Sequence, residues 1–156
     1  VYETELVGHE KLGSISSGGR YDSLASDGKV TFPGVGISLG VTRLLGPMIT
    51  KGQIVASRSV PSVVLVAVDN EDTRDEAEDV AAALRSRGIS CEVAPKADKF
   101  GKQIKHADRR GIPFVWFGGL NGQVKDIRSG DQAEADATVW APPAEDLRAG
   151  ITTQLA

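Results

Sequence analysis

The sequence predicts an α/β fold in two segments of different pattern. From residue 61 to residue 156, short apolar runs alternate with longer amphipathic stretches, which is typical of a sheet with crossover helices. Before that, short alternating runs are separated by glycine-rich turns, which is typical of antiparallel strands. The stretch 53–61 has the character of a linker. We therefore expect two domains, 1–55 and 61–156.

The first segment contains a predicted hairpin, a strand and a helix. Residues 1–7 and 12–17 are the arms of the hairpin, and a glycine-rich turn follows them. The strand covers 35–39, and a helix is expected from 40 to 51 because its apolar residues form one stripe. Pro47 counts against this helix, because a proline in a helix interior removes a hydrogen bond.

The second segment alternates strands and helices. Strands are expected at 63–68, 89–94, 112–117, 123–128 and 137–140, and helices at 73–87, 99–110 and 143–155. Apolar residues at helical spacing predict the buried faces: Ala77, Val80, Ala81 and Leu84 on the first helix, and Phe100, Ile104 and Ala107 on the second. Gly88 and Gly111 mark the ends of these two helices.

Composition excludes several classes of protein. The net charge of −3 and the 40% hydrophobic content are those of an ordinary globular chain. No apolar run approaches the roughly 20 residues of a membrane helix, so no membrane association is expected. The first residues carry neither an initiator methionine nor a signal peptide, which indicates a piece of a longer protein. The single Cys91 is expected in a buried strand, and the isolated His9 and His106 are interpreted as ordinary surface residues, so we expect no metal site.

Three stretches of the sequence carry a family resemblance. Residues 18–24, Gly-Gly-Arg-Tyr-Asp-Ser-Leu, resemble the histidine-binding signature of histidyl-tRNA synthetases. Residues 32–44 look like motif 3 of the class II synthetases, the strand and helix that carry an ATP-binding arginine. Residues 100–108 and 124–130 resemble the anticodon-binding domain that the histidyl, threonyl, prolyl and glycyl enzymes share.

The resemblance implies site residues in the first segment. Glycines let a backbone approach a small ligand closely, a tyrosine hydroxyl can bond an imidazole nitrogen, and small residues on a strand leave room for adenine. An arginine supplies a fixed cation for phosphate. The expected histidine-binding residues are Gly19, Arg20, Tyr21 and Asp22, and the expected ATP-binding residues are Gly36, Ser38, Gly40 and Arg43.

The charge distribution bears on RNA binding. Residues 61–156 contain 12 basic and 16 acidic residues, so the domain is not a general nucleic-acid binder. Its basic residues are concentrated on the second helix, where Lys102, Lys105 and Arg109 share the face opposite Phe100 and Ile104. The expected tRNA-binding residues are Lys99, Lys102, Lys105, Arg109 and Arg128. The alternative is a solvated face of charge with no partner.

The resemblance also implies a fold and an activity. The first segment would be the remnant of an antiparallel class II catalytic sheet, and the second a five-stranded mixed sheet with three helices. The full protein would be a cytoplasmic homodimer that joins histidine to its tRNA, with ATP and Mg²⁺ as substrates, through a histidyl-adenylate. This segment lacks the other catalytic motifs, so we expect it to be inactive alone, without a tightly bound cofactor. The alternative is a synthetase-like regulatory subunit of histidine biosynthesis, a class that generally lacks the anticodon domain.

Overall fold

The computed structural model describes residues 1–154, which divide into two compact units. One comprises residues 1–55 with Thr153 and Gln154, and the other comprises residues 56–152. The strands are β1 Tyr2–Thr4, β2 Ser16–Tyr21, β3 Gly34–Leu39, β4 Ile54–Ala56, β5 Val64–Val66, β6 Cys91–Val93, β7 Phe114–Phe117, β8 Asn121–Asp126, β9 Gln132–Asp136 and β10 Ile151–Thr153. The α-helices are α1 Val41–Thr50, α2 Arg74–Ser86 and α3 Phe100–Arg110. None of these helices is long and apolar enough to cross a membrane.

The first unit is built on an antiparallel sheet of β1, β2 and β3. The expected hairpin is present, with a single 3₁₀ turn, Glu10–Leu12, between its arms. The glycine-rich residues Gly18 to Tyr21 were expected in a turn, and this prediction is wrong. They belong to β2, because glycine without a side chain lets β1 and β3 pair closely on both sides of the strand.

The helix expected after β3 is confirmed as α1, although Pro47 lies inside it. A proline there cannot donate to the preceding turn, yet its carbonyl still accepts a bond from the Lys51 amide at 3.0 Å. The helix therefore continues for one further turn and ends at Thr50.

The second unit contains the expected five-stranded mixed sheet, and its strands lie in the order β6-β5-β7-β8-β9. Strand β5 is parallel to both neighbours, whereas β7, β8 and β9 form an antiparallel meander. Successive residues of β6 show that α2 and α3 cover opposite faces. The Cys91 thiol lies 3.5 Å from the Ala81 carbonyl of α2, whereas Glu92 contacts His106 and Arg110 of α3.

The core of the second unit lies between the sheet and these two helices. The expected face of α2 is buried, and Cys91 is buried in its strand as predicted. Trp116, Leu65 and Leu84 are among the largest side chains with no exposed surface. This core supplies the rigid frame on which the loops and the outer face of α3 are held.

The fifth strand of the sheet was expected at 137–140, and this prediction is wrong. The strand is β9, whose residues Gln-Ala-Glu-Ala-Asp lack apolar alternation but pair with β8 along its whole length. The apolar residues after β9 form a turn instead. Arg87, at the end of α2, donates to the carbonyls of Ala137, Val139 and Trp140 in that turn.

The prediction of a closing helix from 143 to 155 is also wrong. The chain makes only a 3₁₀ turn, Ala144–Asp146, and then strand β10, which pairs with β4. Gly150 interrupts the helical pattern and its amide bonds the Ser57 hydroxyl at 2.9 Å. Residue 155, the last of the predicted helix, lies outside the described residues.

The stretch 53–61 was expected to be a linker, yet it is ordered. It contains β4 and a buried arginine, Arg58, that donates to the carbonyls of Val60, Pro61, Asp146 and Leu147. Burial lowers the pKa of this guanidinium, and the nearby Asp146 opposes the shift. Arg58 therefore links the start of the second unit to the 3₁₀ turn Ala144–Asp146 through hydrogen bonds.

Candidate functional site

The glycine-rich signature lies on one sheet face of the first unit. Gly19 is paired with Gly36 and Tyr21 with Gly34, and residues directly opposite in an antiparallel pair share a face. The Tyr21 ring lies over Gly34, where any Cβ would overlap it. Ser38 lies farther along the same face. The structure thus brings together the expected histidine-binding Gly19 and Tyr21 with the expected ATP-binding Gly36 and Ser38.

The charged members of this signature are placed differently. Arg20 alternates with Tyr21 and so lies on the opposite face of β2, where its Nε donates to Asp22 at 2.9 Å. Both side chains are 75% exposed, so this ion pair leaves each of them open to solvent. Gly40 is the residue before α1, and Arg43 of that helix donates to the Ser14 carbonyl. Arg20 and Asp22 therefore do not join Tyr21 on its face.

The second unit carries a basic groove beside α3. The groove is a surface cavity of about 600 Å³ between α3 and the loop 94–98 that follows β6. Its lining includes the basic residues Lys96, Lys102, Lys105 and Arg109, the acidic residues Asp98 and Asp108, His106, and a floor of Leu65, Ala94 and Pro95. Three of the five expected tRNA-binding residues thus line one cavity, which we call the α3 groove.

The cations of the α3 groove are not equally free. Lys102 forms an ion pair with Asp98 at 3.0 Å, and its hydrogen bond is the main cause that lowers the pKa of that carboxyl. Arg109 donates through Nε to the Lys105 carbonyl at 3.3 Å. Within residues 1–154, the ammonium groups of Lys96 and Lys105 make neither a hydrogen bond nor an ion pair. The charge of Lys96 still acts on Asp98 and helps to lower the pKa of that carboxyl.

Hydrogen bonds from α3 and from Glu71 hold the loop 94–98, which forms one wall of the α3 groove. Buried Gln103 accepts from the Val68 amide at 3.0 Å and donates to the carbonyls of Val68 and Asp98. Glu71 accepts from the Ala97 amide at 2.8 Å. Glu71 also bonds Arg74, and these bonds lower the pKa of its carboxyl to about 2, with the Arg74 hydrogen bond as the larger cause. The hydrogen bonds to the Ala97 amide and the Asp98 carbonyl therefore hold this wall in place.

Two residues of α3 depart from the sequence prediction. Phe100 was expected to be buried, but it is 40% exposed and packs edge-on against Phe117 at 4.9 Å. Gln103 occupies the buried position instead. His106 was interpreted as an ordinary surface residue, but it is partly buried with Nε2 3.5 Å from Glu92. The helical spacing of polar residues cannot reveal this contact, because Glu92 lies on another element.

Arg128 was expected to bind tRNA, but it already has two carboxylate partners. It bonds Asp126 at 2.7 Å and Asp146 at 2.8 Å, and its guanidinium lies over the Phe114 ring at 5.2 Å. The hydrogen bonds that Arg128 donates to Asp126, and to a smaller extent those it donates to Asp146, raise the pKa of the arginine. Arg128 therefore differs from the cations of the α3 groove: it does not line the groove, and two carboxylates neutralise its charge. Lys99, at the start of α3, is exposed outside the residues that line the groove.

An open sheet surface lies on the same face as α3. Phe117 of β7 is followed across the sheet by Gln123 and Glu134, which are bonded to each other at 2.6 Å. Gln132 donates to Gln123 at 2.6 Å and extends this row of polar groups. Amides and carboxylates of this kind can meet the edges of bases, and Phe100 and Phe117 lie beside them. Trp116, next to Phe117 on β7, is fully buried and belongs to the core.

The residues described show no metal centre. No group of three or more histidine, cysteine, aspartate or glutamate side chains in residues 1–154 is close enough to hold a metal ion.

The fold and the basic groove define the class of the second unit. Residues 62–133 match the anticodon binding domain family. The histidine–tRNA ligase of Cutibacterium acnes is 68% identical over 158 residues, which cover 97% of this chain and 35% of that protein. The histidine–tRNA ligase of Micrococcus luteus is 62% identical over 153 residues, which cover 94% of this chain and 33% of that protein.

A solved structure agrees with this assignment. The crystal structure of histidyl-tRNA synthetase from Nostoc sp. PCC 7120 superposes with a TM-score of 0.52 and 35% identity, over 88% of this chain and 35% of that one. Over most of its length the chain is thus similar to one part of the histidine–tRNA ligases. It spans about a third of the length of the curated relatives it matches.

Proposed function

We propose that the whole protein is a histidine–tRNA ligase and that this segment mainly recognises the anticodon. The reaction joins histidine to its tRNA with ATP and Mg²⁺, through a histidyl-adenylate, in a cytoplasmic homodimer. The names of the relatives support the activity, and the anticodon binding domain at 62–133 supports tRNA as the partner. The same domain argues against the regulatory alternative, a class that generally lacks it.

We assign residues 1–55 to the end of the catalytic domain and residues 61–156 to anticodon binding. Tyr21 and Gly19 would bind histidine, and Gly36 and Ser38 would lie along adenine. All four residues lie on one sheet face, so the two ligands would be neighbours. Gly40 and Arg43 follow directly on β3, where Arg43 would meet phosphate. Arg20 and Asp22, on the far side of β2, would support the signature strand through their ion pair.

This segment alone should be inactive, and no cofactor should remain tightly bound to it. Activation of an amino acid shifts charge between phosphate groups, and several cations with a metal ion must surround them. Among the residues of the first unit that the family motifs assign to ATP, Arg43 is the only cation. Its guanidinium bonds a backbone carbonyl.

The observation that carries the proposal for tRNA is the concentration of cations along α3. Lys102, Lys105 and Arg109 reach one groove within a unit whose net charge is negative, so we expect RNA to approach from this side. Lys99 extends the same basic surface at the start of the helix. Arg128 would contribute least, because a phosphate would have to displace two carboxylates from it.

The test reverses two charges on α3. Lys102→Glu with Lys105→Glu should weaken binding of histidine tRNA and lower the slope of log K against log salt by about two, since each lost phosphate contact changes the slope by roughly one. The matched control, Lys29→Glu with Lys51→Glu, makes the same change of charge in the first unit. An equal loss of affinity in the two double variants would remove α3 from the interface.

A further inference from the structure

His106 lies in the middle of the face of α3 that carries the cations. It follows Lys102 by four residues and precedes Arg109 by three, and residues at these spacings share one face of a helix. All three side chains line the α3 groove. Histidine ordinarily changes its charge between about pH 5 and pH 8, whereas lysine and arginine stay charged over this range. One member of this row can therefore change the charge that an anionic partner meets.

A carboxylate behind His106 has one oxygen available for the charged imidazole. Oε2 of Glu92 accepts from Arg110 Nη2 at 3.1 Å and from the Ser62 hydroxyl at 3.5 Å. Among the described residues, Oε1 of Glu92 contacts only His106, at 3.5 Å from Nε2. The His106 and Glu92 side chains are 29% and 26% exposed, so solvent screens this pair only in part. Protonated His106 would thus gain an ion pair with Glu92 without displacing Arg110.

We infer that protonation of His106 is coupled to tRNA binding, so that α3 binds RNA more tightly as the pH falls from about 8 to about 6. This inference rests on the proposed function, because it requires RNA phosphates on this face of α3. The phosphates need not enter the α3 groove, since charges interact over about 10 Å at about 0.1 M salt. The coupling is reciprocal: RNA that favours the charged ring also binds the chain with the charged ring more tightly.

The charged groups that line the groove with His106, or contact its partner Glu92, are of both signs. The cations are Lys96, Lys102, Lys105, Arg109 and Arg110, and the carboxylates are Glu92, Asp98 and Asp108. Cations near an imidazole disfavour its protonated form, and carboxylates favour it. The phosphates of bound RNA would add negative charge to this set. RNA binding therefore shifts the balance towards the protonated ring.

The test measures binding of the anticodon stem–loop of histidine tRNA to the whole chain by fluorescence anisotropy, at about pH 6 and pH 8 and at low salt. The unchanged chain should bind about threefold more tightly at the lower pH, since a partly screened charge contributes modestly. His106→Gln should lose this response. His106→Lys, which is charged at both pH values, should bind at the higher pH about as tightly as the unchanged chain does at the lower one. His9→Gln removes the other histidine of the sequence and should keep the response.

A second measurement uses the unchanged chain and so does not depend on how the variants fold. The ring signals of the two histidines are followed by NMR as the pH is varied, with and without the stem–loop. In the complex, the His106 ring should be protonated at a higher pH than in the free chain, and the His9 ring should show no such difference.

The outcomes separate the coupling from the proposed function. If the stem–loop binds equally at both pH values, or if His106→Gln responds like the unchanged chain, the coupling is overturned and RNA binding by α3 survives. A His106 ring that titrates identically with and without bound RNA would also overturn the coupling. If the stem–loop binds at neither pH, the proposed function fails and the coupling fails with it.

Discussion

The two units differ in how much of their own hydrophobic surface they bury. In residues 1–55, Ile15 is the only buried hydrophobic residue. Val35 and Ile37 of β3 are 71% and 73% exposed. The second unit has a contiguous core that includes Leu65, Leu84 and Trp116. Backbone pairing and a few side-chain hydrogen bonds, such as that from Tyr2 to the Gly36 carbonyl, order the first sheet, whereas apolar burial stabilises the second. Only the second unit should therefore fold with substantial stability by itself.

The largest expected effect comes from truncation of the core in the second unit. Leu84→Ala should lower the free energy of unfolding by about 2–5 kcal/mol, because it removes a fully buried side chain and leaves a cavity. The matched change in the first unit, Ile37→Ala, should stay within about 0.5 kcal/mol. Urea denaturation followed by fluorescence of Trp116 and Trp140 measures the first variant, and circular dichroism measures both. Similar losses in the two variants would contradict the difference between the units.

A smaller effect is expected from the buried amide beneath the α3 groove. Gln103→Leu keeps the approximate volume but leaves the amide and carbonyl of Val68 without their partner, which should cost about 1–3 kcal/mol of stability. Gln132→Leu, on the exposed row of β9, is the control and should change stability by less than about 0.5 kcal/mol. Urea midpoints of the two variants compare them. If Gln103→Leu matches its control, the loop wall is held by other contacts.

The smallest expected effect is the response of the loop to acid. Because the pKa of Glu71 falls from 4.5 to about 2 in the folded chain, its contribution to stability is complete above about pH 4.5 and is lost as the pH falls towards 2. Glu71→Gln should therefore reduce stability near neutral pH and flatten the acid limb of the stability profile. Urea midpoints between about pH 2 and pH 5 measure this, with Glu76→Gln as the control on α2. An unchanged acid limb in Glu71→Gln would mean that the carboxylate is not tied to Arg74 in solution.

Local signals in the sequence predicted α2 and α3 to within one residue at each end, whereas the third helix predicted for the second unit is absent from the described residues. Spaced apolar residues and a terminal glycine are sufficient for α2 and α3, and the positive φ of Gly111 shows why a glycine ends α3. The signature residues were identified by the resemblance of residues 18–24 to a family motif, and their binding roles stay predictions. Strand alternation would also have predicted that Tyr21 and Arg20 lie on opposite faces, had Gly18 to Tyr21 been recognised as a strand.

The features that the sequence did not predict depend on partners far away in the chain. Strand β9 has no pattern of its own and forms by pairing with β8, and β4 forms by pairing with β10 almost a hundred residues later. Arg58, Arg87 and Arg128 each bond groups on distant elements, so their types alone indicate only surface charge. The α3 groove could not be predicted for the same reason. Pro95 and Lys96 lie next to α3 only in the folded chain.

The most direct measurement is a filter-binding titration of this chain against three tRNAs at two salt concentrations. The three are histidine tRNA, the same tRNA with an exchanged anticodon, and an unrelated tRNA. The account predicts tighter binding of histidine tRNA than of the exchanged form, with a preference that persists as salt weakens all three. Equal binding of the three, or a difference that vanishes at the higher salt, would contradict recognition of the anticodon by the second unit.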